Sequence, residues 1–220
     1  MRYFLITLLS FATLYACHTK QKNNEQIDKE ADIAIEEPIR EVDTIIIDSH
    51  YTFAEAIEGA GAPQSVIDKL ELIDVTYIST DKKVHRGQIV TNKRLVPDIK
   101  EMFELMLEQG FVIERAVPIV AYNWCDSLSM ANNNTYSFCY RNASYSYHAR
   151  GMAIDINPRF NPLRWKTKNL PNQPLGAILD TTVNGTLYPN HPIVKEFIKR
   201  GFRWGHNFSK YWDDHHFDKD

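Results

Sequence analysis

Two short segments of the sequence combine imidazoles and carboxylates at spacings that suit a metal site. His148 and Asp155 stand seven residues apart in Ser146-Tyr-His-Ala-Arg-Gly-Met-Ala-Ile-Asp155. Near the other end, Asp213-Asp-His-His216 places two carboxylates and two imidazoles within four residues. Neutral imidazole and carboxylate are both good zinc ligands. In a helical or turn conformation Asp213 and His216 project to the same side, so one could bind metal while the other acts on the metal-bound water.

The stretch that follows His148 predicts a turn and then a strand. Gly151 and the β-rich run from Met152 to Ile156 favour this over a helix, and side chains alternate along a strand. The alternation places Met152, Ile154 and Ile156 towards the core and Ala153, Asp155 and Asn157 on the opposite face. A lone His–Asp pair is more often a structural hydrogen bond than a metal site. The second segment favours the metal site, because bulky aromatic residues flank it: Trp204, Phe208, Tyr211, Trp212 and Phe217.

The remaining sequence predicts a scaffold of short strands and helices. Leu72–Ile78 reads as a strand and Val84–Thr91 as the second arm of a hairpin. Apolar residues recur at helical spacing from Val96 to Met106, and Gly110 follows as a helix-ending glycine. These apolar residues, including the methionines, are expected to be core. Further predicted elements are an early strand at Ile45–Ile47, partly helical structure over Thr52–Lys69 broken at Gly59–Pro63, a strand at Val112–Ala121 and a helix at His191–Arg200.

The two segments together resemble the motifs of a known family. Ser146-x-His148-x-x-Gly151-x-Ala153-x-Asp155, followed by Asp213-x-x-His216-Phe217, is similar to the M15 peptidases, the D-alanyl-D-alanine carboxypeptidase and VanY-like group. Their fold is shared by the Hedgehog signalling domain. Ser127–Pro162 and Gly201–Gly205 are similar to one branch, and the resemblance extends over about Leu72 to Asp218. It implies an α+β, Hedgehog/DD-peptidase-like fold, with a small antiparallel sheet and helices packed on one side.

The resemblance also implies a set of site residues. His148, Asp155 and His216 match the ligands of one catalytic zinc ion, Asp213 matches the general base, and Arg141 matches an arginine that stabilises the oxyanion or binds substrate. The shifted register, with Asp214 and His215, would leave no carboxylate three residues before the ligand. Two positions depart from the family pattern: Gly205-His206-Asn207-Phe208 stands where Gly-Gly-Asp-Trp is common, and Asp218 stands where Glu or Gln is usual.

The implied activity is hydrolysis of amide bonds in peptidoglycan stem peptides. The cleaved bond would be that of D-Ala-D-Ala, as in a carboxypeptidase, or that of L-Ala-D-Glu, as in an endopeptidase. The alternative is a non-catalytic, zinc-containing domain that binds the cell wall, and a third reading without metal requires both motifs to be accidental. Asp213 distinguishes the first two, because a binding domain needs no base beside a ligand. The expected protein is a monomer.

The N-terminal segment predicts export. Arg2 precedes an apolar run, Tyr3–Ala16, that is too short to span a bilayer and has the length of a signal-peptide core. Leu14-Tyr-Ala-Cys17 resembles a bacterial lipobox, so residues 1–16 are expected to be a lipoprotein signal peptide and Cys17 to carry lipid. An ordinary signal peptide is the alternative. Residues 17–44 read as a polar tether and 45–220 as the domain, held on a bacterial membrane facing the periplasm or the cell exterior.

The remaining cysteines and the charge narrow the classes further. In an exported protein Cys125 and Cys139 could form a disulfide, and two buried thiols are the alternative. They are not expected to form a metal site. A net charge of −3 without a Lys/Arg stripe argues against nucleic-acid binding.

Overall fold

The structure, a computed structural model, describes residues 44–143 and 145–220. The predicted signal peptide, Cys17 and all but the last residue of the predicted tether lie outside the described residues. Within them the chain is a mixture of five short α-helices and eight short strands, so the predicted α+β class is confirmed. None of the described helices has the length and apolarity that a membrane span requires.

The first sheet is built on a long hairpin. Strand β2 (Leu70–Ile78) pairs with antiparallel β3 (Val84–Asn92) along its full length, with Leu70 opposite Asn92 and Ile78 opposite Val84. The short strand β1 (Ile46–Ile47) pairs in parallel with β3 on its free edge. The hairpin and the early strand are therefore confirmed.

One long helix covers this hairpin. Helix α3 (Val96–Glu108) packs against β2, and its buried side chains are the apolar residues that the spacing predicted as core: Ile99, Met102, Phe103 and Met106. Burial of each such side chain stabilises the folded state by about 1.5–3 kcal/mol. Two single-turn helices, α1 (Phe53–Ala56) and α2 (Gln64–Ile67), lie on either side of the predicted break at Gly59–Pro63.

Two smaller sheets carry the chemistry-bearing segments. The second sheet has the order β4–β8–β6, formed by Ala153–Asp155, His216–Asp218 and Arg203–Trp204. The third pairs β5 (Leu163–Trp165) with β7 (Tyr211–Asp213). Helix α4 comprises Asp126–Ala131, and α5 (Pro192–Lys199) confirms the predicted helix before Gly201.

Core and site faces of β4 separate as predicted. Met152, Ile154 and Ile156 are buried in the main hydrophobic core together with Phe217 and Phe197. Because Ile154 lies opposite Phe217 in the β4–β8 pair, the core fixes the register of the two strands that carry Asp155 and His216.

Two features of the fold differ from the predictions. Residues 112–121 form no strand: Val112 makes a single bridge to Ile78, and Ile119–Tyr122 is a 3-10 helix. Two of this segment's main-chain groups bond to side chains: Ala116 N–H donates to Tyr77 Oη and Val117 N–H to Asn134 Oδ1. The implied single antiparallel sheet is instead three small sheets, one of which contains a parallel pair.

The predicted disulfide is not formed. Cys125 is exposed and Cys139 is buried, and both are free thiols. Burial raises the pKa of Cys139 to about 12, so this thiol stays protonated and behaves as a small apolar core residue. The alternative prediction of two buried thiols therefore holds for Cys139 and not for Cys125.

Candidate metal centre

Three ligand atoms from distant parts of the chain converge on one point. His148 Nε2 lies 3.0 Å from His216 Nδ1 and 3.1 Å from Asp155 Oδ1, and His216 Nδ1 lies 2.9 Å from Asp155 Oδ1. A tetrahedral zinc ion with ligand distances of about 2.0–2.1 Å requires ligand atoms about 3.3–3.4 Å apart. The triangle is within a few tenths of an ångström of that size, so these residues fit a zinc ion.

Each ligand is held by a different local structure. Asp155 ends β4 and His216 begins β8, and the two residues are directly opposite in the antiparallel register. Asp155 also exchanges both main-chain hydrogen bonds with Tyr136 on its other side. His148 begins a 3-10 turn, His148–Arg150, which ends at Gly151 in the left-handed conformation. The turn-then-strand prediction is therefore confirmed.

Gly151 is packed tightly against the first sheet. A side chain at Gly151 would lie 2.7 Å from Asn92 N, so the glycine permits close packing on β3 and does not open the site. Asn157 also lies outside the site, because its amide group bonds to Val112 O and Gly185 O. Strand β4 ends at Asp155, and the side-chain alternation ends with it.

The outward nitrogens of the two histidines are also engaged. His148 Nδ1 lies 2.7 Å from Ser137 O, and because a carbonyl only accepts, this nitrogen carries the proton and Nε2 presents its lone pair to the centre. His216 Nε2 lies 3.1 Å from Asp218 Oδ2, which directs Nδ1 of that ring towards the centre. The buried Asp218 carboxylate in turn accepts a hydrogen bond from Arg203 Nε at 2.6 Å. Such outer partners orient metal ligands and fix their tautomers.

The charges at the centre favour a bound cation. Burial alone would raise the pKa of Asp155, but the imidazoles of His148 and His215 outweigh it and hold this pKa well below its usual range. Burial lowers the pKa of His216, whereas hydrogen bonds to Asp155 and Asp218 raise it to about 10. The carboxylates therefore attract a positive charge into the centre. A bound metal ion would replace the proton that His216 carries, because an imidazole binds a metal only in its neutral form.

Asp213 lies beside the three ligands. It ends β7, and its buried Oδ1 has no hydrogen-bond partner in the described part of the chain. His215 Nε2 is 2.9 Å from that oxygen, so the two side chains form an ion pair. This contact with Asp213 and the nearby Asp155 raises the pKa of His215 to about 9, against the opposing effect of burial. Asp213, His148, Asp155 and His216 all line one cleft of about 350 Å³.

Comparison with known protein families bears on this same segment. Residues 140–219 match the family model of the D-alanyl-D-alanine carboxypeptidases. The match covers roughly a third of the chain and includes His148, Asp155, Asp213 and His216. The resemblance to the M15 peptidases is thus confirmed over these residues, and this family consists of metallopeptidases. Residues 72–139, over which the resemblance was also drawn, lie outside the match. No curated protein and no solved structure gives a significant match.

Within the carboxypeptidase-like segment, the structure distinguishes the pair Asp213 and His216 from the shifted pair Asp214 and His215. The Asp214 carboxylate is buried away from the ligands, where it accepts hydrogen bonds from Arg164 Nε at 2.7 Å and His206 Nδ1 at 2.6 Å. His215 Nδ1 bonds to Asn161 O. Asp214 is therefore a structural residue, and Asp213 and His216 are the pair that face the centre. Asp213 ends β7, His216 begins β8, and a turn joins the two strands. Of the two predicted conformations, helix or turn, the structure has the turn.

Arg141 lies on the rim of the same cleft and is held by a residue that sequence reasoning missed. Its Nη2 is 3.3 Å from Asp126 Oδ2, and Asp126 Oδ1 accepts a hydrogen bond from the hydroxyl of Tyr136. Tyr136 packs beside His148, with ring centroids 5.1 Å apart. Asp126 and Tyr136 lie outside the matched carboxypeptidase segment, and the only sequence signal for them was the unusual length of the polar stretch 123–147.

The two departures from the family pattern have structural explanations. Asp218 follows His216 by two positions on β8, lies opposite Ala153, and reaches the His216 ring from the space that this small residue leaves. His206 stacks on Trp204 at 4.4 Å and bonds to Asp214, so it supports the turn that carries Asp213 and His216.

Proposed function

We propose that this protein is a zinc-dependent peptidase that hydrolyses amide bonds in peptidoglycan stem peptides. The bond would be that of D-Ala-D-Ala, as in a carboxypeptidase, or of L-Ala-D-Glu, as in an endopeptidase. One observation carries the proposal: three ligand atoms of the right chemistry converge within 3.1 Å of one another, beside a carboxylate whose Oδ1 accepts no hydrogen bond within the described residues. The family match supports a Hedgehog/DD-peptidase-like fold as part of the same proposal.

His148, Asp155 and His216 would hold the zinc ion. Three protein ligands leave one position open, as is typical of catalytic zinc sites. When bound, zinc polarises the substrate carbonyl and lowers the pKa of a water molecule to about 7.

Asp213 would act as the general base. Its carboxylate can accept the proton of the attacking water, and the same carboxyl group can then return that proton to the leaving amine. A structural carboxylate is normally satisfied by donors, as Asp214 is by Arg164 and His206. Asp213 Oδ1 is paired with His215 but accepts no hydrogen bond within the described residues, which favours catalysis over the alternative of a non-catalytic zinc domain.

Arg141 would stabilise the oxyanion or bind the substrate. The Arg141 side chain is 39% exposed and lines the cleft, so its guanidinium is accessible to a ligand. Asp126 restrains one side of that guanidinium, and within residues 44–143 and 145–220 its other donors form no hydrogen bond. Removing one well-placed oxyanion donor costs a factor of about 10²–10³ in kcat in comparable enzymes.

The cellular setting is part of the proposal. Export by residues 1–16, a lipid on Cys17 and a polar tether over 17–44 would hold a monomeric domain on a bacterial membrane within reach of the cell wall. Labelling with a radioactive fatty acid tests the anchor, because Cys17→Ala should abolish incorporation into the full chain.

Zinc content and product analysis of the full-length chain test the activity. His148→Ala should lose the metal. Asp213→Asn should keep one zinc ion per chain and lose hydrolysis of stem peptides, and Asp180→Asn, at an exposed loop carboxylate, is the matched control. Mass spectrometry of the products identifies the bond that is cut. A wild-type rate for Asp213→Asn would exclude the assigned base, and zinc-loaded protein that cleaves no stem peptide would favour the binding-domain alternative.

A further inference from the structure

A basic cavity lies beside the catalytic cleft. It has a volume of about 480 Å³, and the charged side chains that line it are Lys69, Arg94, Arg150, Lys219 and Asp220. Four cationic groups thus face one carboxylate, in a chain whose net charge is −3. Such a local excess of positive charge indicates an anionic ligand.

Two of these four cations are available to a ligand. Lys219 Nζ is paired with Asp98 at 2.7 Å, and Arg94 is bonded to Asp220. Lys69 and Arg150 are exposed and form no ion pair with a side-chain carboxylate in the ranges 44–143 and 145–220. Unpaired arginines can hold a carboxylate through two parallel hydrogen bonds.

Asp220 of the chain itself lies in the cavity. Arg94 Nη2 donates to the main-chain oxygen of Asp220 at 3.0 Å, and Tyr147 Oη, from the cleft, donates to Asp220 Oδ1 at 2.5 Å. The cavity therefore accommodates a carboxylate-bearing residue.

One aromatic residue of the cleft contacts side chains of the cavity. The Tyr147 ring is contacted by the guanidinium of Arg150 at 4.6 Å and by that of Arg203 at 4.9 Å. Tyr147 and Arg203 line the cleft, whereas Arg150 lines the cavity. A peptide that crosses the cleft near Tyr147 can therefore place an anionic group among the cations.

We propose that the basic cavity is a second binding site, which holds free carboxylates of the peptide substrate away from the scissile bond. This inference rests on the proposed function, because it takes the ligand to be a stem peptide. It adds a determinant of substrate choice: peptides whose distal carboxylates are ionised should bind more tightly than the same peptides with those carboxylates amidated.

Calorimetric binding to the full-length, zinc-loaded Asp213→Asn chain tests the site without hydrolysis of the probe. The probes are a synthetic stem peptide with free side-chain and α-carboxylates, and the same peptide with the carboxylates amidated. We expect the free form to bind about tenfold more tightly at low salt, and the advantage to shrink as ionic strength rises. Equal dissociation constants for the two probes would overturn the proposal.

Charge reversal locates the effect. Lys69→Glu with Arg94→Glu should remove the advantage of the free form and leave binding of the amidated form unchanged, whereas Lys195→Glu, at an exposed lysine on α5, should alter neither. If the double variant fails to fold, Lys69→Gln alone should reduce the advantage. An unchanged advantage in the variant would overturn the assignment. Because the readout is binding, a failure here is distinguishable from a failure of the proposed hydrolysis.

Discussion

Asp155 and His216 lie directly opposite each other in the antiparallel pair of β4 and β8, and their ligand atoms are 2.9 Å apart. The next pair along the same two strands, Ile154 and Phe217, points into the hydrophobic core. A shift of either strand by one residue would turn its metal ligand towards the hydrophobic core and its apolar residue away from it. The geometry of the candidate metal centre is thus fixed by burial of the side chains adjacent to it.

Gly205 determines how closely Asp213 and His216 approach each other. A Cβ atom at Gly205 would lie 2.7 Å from both Asp213 Cβ and Asp213 O, and 3.1 Å from His216 Cβ. Gly205→Ala should displace both side chains, weaken zinc binding at least tenfold and reduce kcat about 10²-fold, since small misplacements are costly in catalysis. Zinc titration and steady-state kinetics measure these effects.

The control for Gly205→Ala is Gly61→Ala. Gly61 has open space around its Cβ position but a φ of +67°, so the substitution should lower stability by about 1 kcal/mol through the backbone alone. Its zinc affinity should be that of the wild type. If Gly205→Ala binds zinc as tightly as Gly61→Ala does, the close packing at Gly205 has no role in shaping the centre.

Asp218 is expected to support zinc binding without contacting the metal. Its carboxylate accepts from His216 Nε2 and fixes the tautomer that turns Nδ1 to the centre. Asp218→Ala should weaken zinc affinity about 10–100-fold, as is typical when an outer partner of a metal-binding histidine is removed. Competition with a fluorescent zinc chelator measures the affinity. Asp180→Ala, at an exposed loop, is the control, and equal affinities in the two variants would contradict the role of Asp218.

More of the metal centre than of its surroundings could be predicted from the sequence. Strand alternation from Met152 to Ile156 placed Asp155 on the site face, because a two-residue period needs only local information. Asp126 could not be found this way. Its role depends on contacts with Tyr136 and Arg141 across an irregular segment, where no period relates position to direction.

The sheets show the same limit. The β2–β3 hairpin was predicted because its strands are adjacent in sequence and joined by a tight turn. Strand β4 instead pairs with β8, more than 60 residues later, and short strands carry no sequence signal that names their partner. Residues 112–121 are rich in β-branched side chains yet form no strand, and the N–H groups of Ala116 and Val117 donate to the side chains of Tyr77 and Asn134.

Asp126 is expected to act through Arg141. Asp126→Asn keeps the size of the side chain but removes the charge that holds the guanidinium, so kcat should fall about tenfold while zinc content stays at one ion per chain. A double-mutant cycle tests the link: if Asp126 works by positioning Arg141, Asp126→Asn should have little effect in an Arg141→Ala background. Two kcat losses that multiply in the double variant would show that Asp126 acts independently.

His191 should make the stability of the domain depend on pH away from the candidate centre. Its Nδ1 accepts a hydrogen bond from Ile193 N–H at the start of α5, so the neutral ring is the capping form. Burial lowers the pKa of His191 below its ordinary value of 6.5. The unfolded chain therefore binds the proton more readily, and the free energy of unfolding should fall as the pH drops below about 6.5.

His191→Asn retains a capping side chain that does not titrate. Urea unfolding of both proteins between pH 8 and pH 5 should give curves that run parallel above pH 7 and diverge below 6.5, with the wild type losing more stability. Curves that stay parallel down to pH 5 would show that His191 keeps its cap when protonated, contrary to the geometry of its Nδ1.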